Sequence, residues 1–393
     1  MLARSLLVVV LYFCLATAHA SGALRATLIP PPPDSNTVTL ELTNSGDDDI
    51  SIVSYTVPTL SKNGRLWNSA LMRPFDSKGQ RANYTGIYMD LDVSGPDTFI
   101  TLPPGSTKRF EVDLGLSYDL VPGETYTVQV LLQPKYLDRA LGKYPKRDNA
   151  TLRPLYRQAQ IYPIKLTASP SALATARQRL TRASATPPGY QACSADQVAQ
   201  FETVKAQAKG FIEQAFGEMW SMPIWVHPWH WESTPNYIRW FGEHYPWPYM
   251  PDGHDLHEDD EFWMWAVTAV WGRANSSNTI DGSTLPPISV TCECDGDHNE
   301  NTASNAWIER NVYYQINTCP KYWQLPIAHD PAVPDASSQV GTLIHELPHF
   351  NDVMNSGTDD ITYSYQDTLQ LASQHAQAVH NAQSYKFWML QQP

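Results

Sequence analysis

Basic side chains, cysteines and long apolar runs are all in short supply in this chain of 393 residues, and each shortage removes a class of protein. With 27 Lys and Arg against 40 Asp and Glu, a net charge of -13, the sequence lacks the clustered cations needed to track phosphates, so nucleic acid is not an expected partner. The apolar run from Leu6 to Ala16 is shorter than the roughly 20 residues that span a bilayer, and no other segment approaches that length. No stable membrane insertion is expected. Five Cys among 393 residues are too few for a disulfide-dense scaffold, and a chain this long can bury a sizeable core in each of two domains.

What the first residues do contain is a leader pattern. Arg4, the apolar stretch and the small-residue site Ala18-His19-Ala20 make residues 1–20 a secretory signal peptide and the protein an extracellular one. Loss of the leader takes Cys14 with it and leaves Cys193, Cys292, Cys294 and Cys319, enough for two disulfides in an oxidising compartment. The sequons at Asn83, Asn149 and Asn275 fit the same route as sites for glycans.

Residues 21–168 read as an antiparallel β-sandwich. Val38, Leu40 and Leu42 alternate with polar residues, as do Phe110, Val112 and Leu114, and similar runs lie near Ile50–Tyr55, Tyr126–Leu132 and Ile161–Leu166 between turns rich in Gly, Pro and Asp. Asp47-Asp48-Asp49 lacks the alternating spacing of a calcium loop and reads as a solvated turn. Residues 169–189 are rich in Ala, Ser, Thr and Pro and read as a linker, in which Arg177, Arg179 and Arg182 offer a maturation site; Lys146-Arg147 offers another. Residues 190–393 form a second, mainly helical domain, starting with a helix capped by Ser194. Within it, residues 220–271 form an insertion with nine Trp, ill suited to regular helix or strand, whose aromatics either wall a binding surface or pack the interior.

The chemistry concentrates at His345-Glu346-Leu347-Pro348-His349. Val340, Leu343, Ile344 and Leu347 supply the apolar face of a helix, on which imidazoles four residues apart share one side and bind one zinc ion, with Glu346 within reach of a water that the metal polarises. A catalytic zinc needs a third protein ligand. No Glu follows Glu346, and Asp352 and Asn355 break the longer pattern that would end in a third His, so Asp is the natural candidate; Gly357-Thr358-Asp359-Asp360-Ile361-Thr362-Tyr363 brings one back after a turn.

These two stretches together resemble the deuterolysin and peptidyl-lysine metalloendopeptidase family, the zincin-like aspzincins, whose pattern is H-E-x-x-H followed by G-T-x-D-x-x-Y. The resemblance implies zinc ligands at His345, His349 and Asp360, a general base at Glu346 and an oxyanion-holding hydroxyl at Tyr363. It further implies disulfides Cys193–Cys292 and Cys294–Cys319, a C-terminal helix after Asn381-Ala382, and a propeptide role for the sandwich, removed on activation. It covers most of Gln191 to Gln392 apart from the Trp-rich insertion.

The function so implied is a secreted zinc metalloendopeptidase that cuts internal peptide bonds of protein or peptide substrates, with its own N-terminal domain as inhibitor. The alternative is a secreted metal-binding or surface interaction protein that keeps the zincin-like fold without cutting. That alternative is motivated by the insertion and by Pro348, which costs about 3 kcal/mol in a helix interior unless the helix is ending there. Lysine-specific members carry acidic residues on the C-terminal helix where this sequence has Gln383 and Lys386, which argues against strict lysine selectivity. The cluster from His254 to Glu261, with His227, His230 and His244 nearby, reads as a solvated acidic loop rather than a second metal site, and His375 and His380 read as packing or surface residues.

Overall fold

A computed structural model of the chain describes residues 24–391, apart from 61–63, 67–70, 92–98, 131–134, 138–151, 155–160, 182–188, 223–233, 244–255, 276–286, 293, 295–303, 310–313 and 352–356. The expected signal peptide, Asn149, Lys146-Arg147, His227, His230, His244 and the side chains of His254, His257 and Glu258 lie outside the described residues.

The N-terminal half is built of strands β1 (Leu24–Ile29), β2 (Thr37–Asn44), β3 (Ile50–Val53), β4 (Met72–Phe75), β5 (Ile87–Leu91), β6 (Phe99–Leu102), β7 (Thr107–Asp113), β8 (Thr125–Val130), β9 (Lys135–Leu137), β10 (Leu152–Pro154) and β11 (Ile164–Thr167). All but β5 pair among themselves in antiparallel sheets of order β1-β2-β7, β10-β9-β3-β6 and β11-β8-β4. The alternation in β2 explains its place: Val38, Leu40 and Leu42 are fully buried while the residues between them are half-buried, the period of a strand with one face on a core.

The stretch expected to be a linker begins instead with a helix, α1 (Pro170–Thr181). Ser169 starts it: its Oγ accepts from the Ala172 amide at 3.3 Å while its own amide donates to Asn36 Oδ1 at 2.8 Å. Leu173 and Ala176 are buried, and Leu173 fits because Gly115 has no Cβ, which would lie 2.9 Å from the leucine Cδ2. So short an apolar stripe among Arg, Ser and Thr leaves little periodic signal.

Beyond it follow β12 (Tyr190–Gln191), α2 (Ala195–Ser221), α3 (Pro235–Phe241), α4 (Leu256–Asn275), β13 (Ser289–Thr291), β14 (Ser304–Glu309), β15 (Gln315–Thr318), α5 (Gln339–Glu346), α6 (Tyr365–Leu371), α7 (His375–Val379) and α8 (Ala382–Leu390). Ser194 and Gln197 form a reciprocal capping box on α2, which buries Phe201, Val204, Ala208, Ile212, Ala215 and Met219. The Trp-rich segment does contain regular helix. Thr234 caps α3 with Pro235 in its first turn; Trp240 stacks on Phe387 with ring centroids 5.1 Å apart, and Trp263 packs edge-on against Trp388 at 5.4 Å. These aromatics are core.

This half also holds a sheet that the helical reading missed, of order β12-β13-β15-β14-β5. Its first three strands run parallel, β14 is antiparallel to β15, and β5 crosses from the N-terminal half to pair antiparallel with β14 from Ile87↔Glu309 to Leu91↔Ser304. Both disulfides implied by the resemblance are present, Cys193–Cys292 at the start of α2 and Cys294–Cys319 at the end of β15.

His375 ties three helices together: Nδ1 donates to the Phe241 carbonyl at 2.7 Å, and Nε2 lies 3.2 Å from Asp260 Oδ1. Burial opposes its charge, but the hydrogen bond and charge of Asp260, with the Phe241 carbonyl, raise its pKa above the usual histidine value. A raised folded-state pKa contributes stability that is complete below the unfolded value and is lost as pH rises through the folded one. The stability gap between the parent and His375→Gln, measured by urea unfolding, is therefore expected to be larger at about pH 5 than at about pH 9.

Candidate metal centre

Ser338 caps α5 by accepting from the Gly341 amide at 3.0 Å, and Val340, Leu343 and Ile344 anchor the helix in the core. The α-helix ends at Glu346, and Leu347–His349 continue as a 3-10 turn. Pro348 therefore sits in that turn rather than in a helix interior, which removes the conflict its position posed. The carbonyls left at the helix end find a partner in Arg273 of α4, which is fully buried and donates to the Leu347 and Phe350 oxygens, each at 2.8 Å.

The loop that follows is pinned by Asn381. Its Oδ1 accepts from the amides of Ile361 and Thr362, both at 3.1 Å, and the Asp359 amide donates to the His380 carbonyl at 2.7 Å. This brings Asp360 over the two imidazoles. His345 Nε2 and His349 Nε2 are 3.4 Å apart, and Asp360 Oδ1 lies 3.0 Å from the first and 3.3 Å from the second, with all three side chains fully buried.

Hydrogen bonding fixes which nitrogen of each ring faces inward. Gln383 Nε2 donates to the Tyr363 carbonyl at 2.6 Å, so its Oε1 is the acceptor for His345 Nδ1 at 2.9 Å; His349 Nδ1 donates to the Thr358 carbonyl at 3.1 Å. Burial holds the His349 imidazole below its usual pKa, in the neutral form a metal needs. With Nδ1 donating on each ring, both Nε2 atoms present lone pairs toward Asp360 Oδ1, an arrangement that a shared cation satisfies. Atoms about 2.0–2.1 Å from a tetrahedral zinc lie about 3.3–3.4 Å from one another, close to the separations observed. Among the described residues this is the cluster of His, Cys, Asp and Glu that fits a metal ion.

Glu346 is fully buried next to the cluster; its Oε1 accepts from the Asp90 amide at 3.0 Å, and its Oε2 has no hydrogen-bond partner among the described residues. Burial, with the carboxylates of Asp90 and Asp360, pushes its pKa well above the usual range. Tyr363 packs over His345 at 6.1 Å between ring centroids, and burial together with its hydrogen bond to Asp360 raises the phenol. All five residues marked by the sequence are thus brought together. His375 and His380 are not part of the cluster: the first bonds Asp260, and His380 Nε2 lies 3.5 Å from Asp259.

The other occupant of the site comes from β5. The Met89 amide donates to Asp360 Oδ2 at 3.2 Å, the Tyr88 ring stacks on His349 at 4.4 Å, and the Tyr88 hydroxyl donates to Asp359 Oδ1 at 3.2 Å. Arg81 forms an ion pair with the same Asp359. The sequence carries no local mark of this strand's role.

Residues 273–389 match the family model for the aspzincins, described as lysine-specific metallo-endopeptidases. This region is similar to the aspzincins. Over nearly the whole chain, peptidyl-Lys metalloendopeptidase of Grifola frondosa is 21% identical across 371 residues, covering 91% of this chain and 88% of that protein. An extracellular protease of Aeromonas hydrophila is 22% identical across 369 residues, covering 93% and 90%. A solved zinc peptidase from Grifola frondosa is 20% identical, covers 50% of this chain and 96% of its own, and superposes with a TM-score of 0.35. The chain is a metalloendopeptidase, as its motifs led us to expect, and the aspzincin resemblance read from those motifs holds.

Gln383, which stands with Lys386 where lysine-specific members of the family carry acidic residues, accepts from the His345 imidazole. Gln383→Ala should weaken zinc binding by about 10–100-fold in competition with a chromophoric chelator, and Gln383→Glu, which keeps the acceptor, should restore most of it.

Proposed function

We propose that this chain is a secreted zinc metalloendopeptidase, made in latent form with its own N-terminal half covering the active site. The observation that carries the reading is the buried triad of acceptors from His345, His349 and Asp360, with an unpartnered carboxylate oxygen of Glu346 alongside. The imidazole and carboxylate set suits zinc, and the three residues would be its protein ligands. Zinc in this position supplies Lewis acidity, lowering the pKa of water to about 7 and polarising a substrate carbonyl.

This chain's own residues then have distinct tasks. Glu346 accepts the proton of the attacking water and returns it to the leaving amine; its Oε1 is within reach of a peptide unit, since it accepts from the Asp90 amide at 3.0 Å. Tyr363 donates its hydroxyl to the oxyanion that develops on the carbonyl oxygen. Gln383 and the Thr358 carbonyl hold the imidazoles in the ligating tautomer.

Residues 21–168 act in this reading as inhibitor and residues from 190 onward as peptidase, separated at maturation near Arg177, Arg179 or Arg182. Strand β5 is the blocking element, because it lies along β14 with backbone donors on Glu346 and Asp360 and an aromatic lid on His349. Secretion is supported by the leader pattern, the two disulfides and the name of the Aeromonas hydrophila relative, an extracellular protease.

Glu346→Gln is expected to abolish casein hydrolysis while one zinc per chain is retained by metal analysis; near-parental activity refutes the mechanism. Met89→Pro removes a donor to Asp360 and cannot sit comfortably in a paired strand. The full-length Met89→Pro chain should cut casein at least about tenfold faster than the full-length parent, the gain expected when a site once almost always covered becomes accessible.

A further inference from the structure

We infer that the pocket beside Glu346 selects an acidic side chain, so that this peptidase cuts on the amino side of aspartate, with glutamate next, and that Lys386 is the residue that sets this preference. The inference rests on the peptidase reading and deepens it.

Strand β5 supplies the register. In the peptide unit joining Met89 to Asp90, the nitrogen belongs to Asp90 and its N–H donates to Glu346 Oε1 at 3.0 Å, which sets that nitrogen beside the carboxylate assigned the proton transfer. In hydrolysis, water adds to the carbonyl carbon of the preceding residue, the C–N bond breaks, and the proton taken from water by Glu346 goes to that nitrogen. The second proton of the water follows to the same nitrogen, so the two products are a carboxylate and an ammonium group. Asp90 therefore stands where the residue that gains the free amine stands in a substrate.

Its side chain shows what that position accepts. Oδ2 receives hydrogen bonds from Thr342 Oγ1 at 2.6 Å and Asn305 Nδ2 at 2.9 Å, and Oδ1 lies 3.7 Å from Lys386 Nζ. These partners come from α5, β14 and α8, all in the peptidase half, so the pocket belongs to the enzyme and the carboxylate to the occupant. Asp90, Asn305, Thr342 and Lys386 are each no more than 5% exposed. A charge in such a place needs a counter-charge, and Lys386 supplies it. Gly341 makes room for the lysine: a Cβ there would come within 3.1 Å of Lys386 Cε. A substrate lysine in this pocket would set one ammonium against another, whereas an aspartate repeats the contacts that β5 already makes.

The test uses the zinc-loaded full-length chain carrying Asp90→Ala, which empties the pocket and loosens the strand, compared with the same chain also carrying Lys386→Glu. Asp90→Ser, smaller and uncharged, replaces Asp90→Ala if the alanine variant does not fold. Each is given a random decapeptide library and its cut sites are sequenced. The expected result is about tenfold or greater enrichment of Asp and Glu at the new amino termini, lost on Lys386→Glu in favour of Lys and Arg. Cutting with no acidic enrichment, or with the same pattern in both chains, overturns the inference and leaves the peptidase reading standing. If neither chain cuts, β5 still covers the site, and the pocket is judged by thermal shift with Ac-Ala-Ala-Asp-Ala-Ala-NH2 against its Lys counterpart. Greater stabilisation by the Asp peptide, abolished by Lys386→Glu, upholds the preference; equal or absent stabilisation by the two peptides overturns it.

Discussion

Three lone-pair-bearing atoms held within about 3.4 Å of one another in a dry interior repel unless a cation joins them, and much of the peptidase half serves to hold them there. The 3-10 turn after α5 aims His349 back toward His345. Asn381 and the Asp359–His380 backbone bond fix the loop that carries Asp360. Gln383 reaches from α8 to hold one ring, and the Thr358 carbonyl holds the other. Arg273, buried against Tyr314 and Phe350, secures the helix end from behind. None of these outer residues touches the position a metal would take, yet each restricts a freedom that would let the acceptors drift apart.

The same crowding of negative and lone-pair character explains why a backbone strand suits the cleft. Amide hydrogens are donors without charge, and β5 presents two of them, from Met89 and Asp90, to the two carboxylates that most need them. Its side chains divide by the strand's period of two. Ile87 and Met89 pack with Val53, Trp307 and Tyr363, while Tyr88 and Asp90 contact His349 and Lys386. One strand thereby closes a sheet, covers an imidazole and fills a charged pocket.

What was legible in the sequence was whatever is written locally. His345, Glu346 and His349 lie within five residues, and the Asp and Tyr that join them follow in a short loop. The alternation in β2 and the spacing in α2 are likewise local, and the disulfide pairing came with the family resemblance. What was missed depends on distance in the chain. The place of β5 is fixed by an edge more than two hundred residues away, as the 215-residue separation of the Asp90–Asn305 bond records, and nothing in Ile87–Leu91 names that partner. The three parallel strands are too short to carry a period. Helices α3 and α4 were hidden because Pro and Trp read as irregular until Thr234 is seen capping one and Trp263 is seen buried in the other. For Gln383 the position on the last helix was legible, while its orientation toward His345 was not.

With β5 in place, β14 is an interior strand; without it, the backbone groups of Ser304–Glu309 become the outer rim of the sheet. A bare rim of that kind is a template for an extended polypeptide. Strand β5 therefore does for β14 what a further strand of the sheet would do, satisfying its edge from within the same chain.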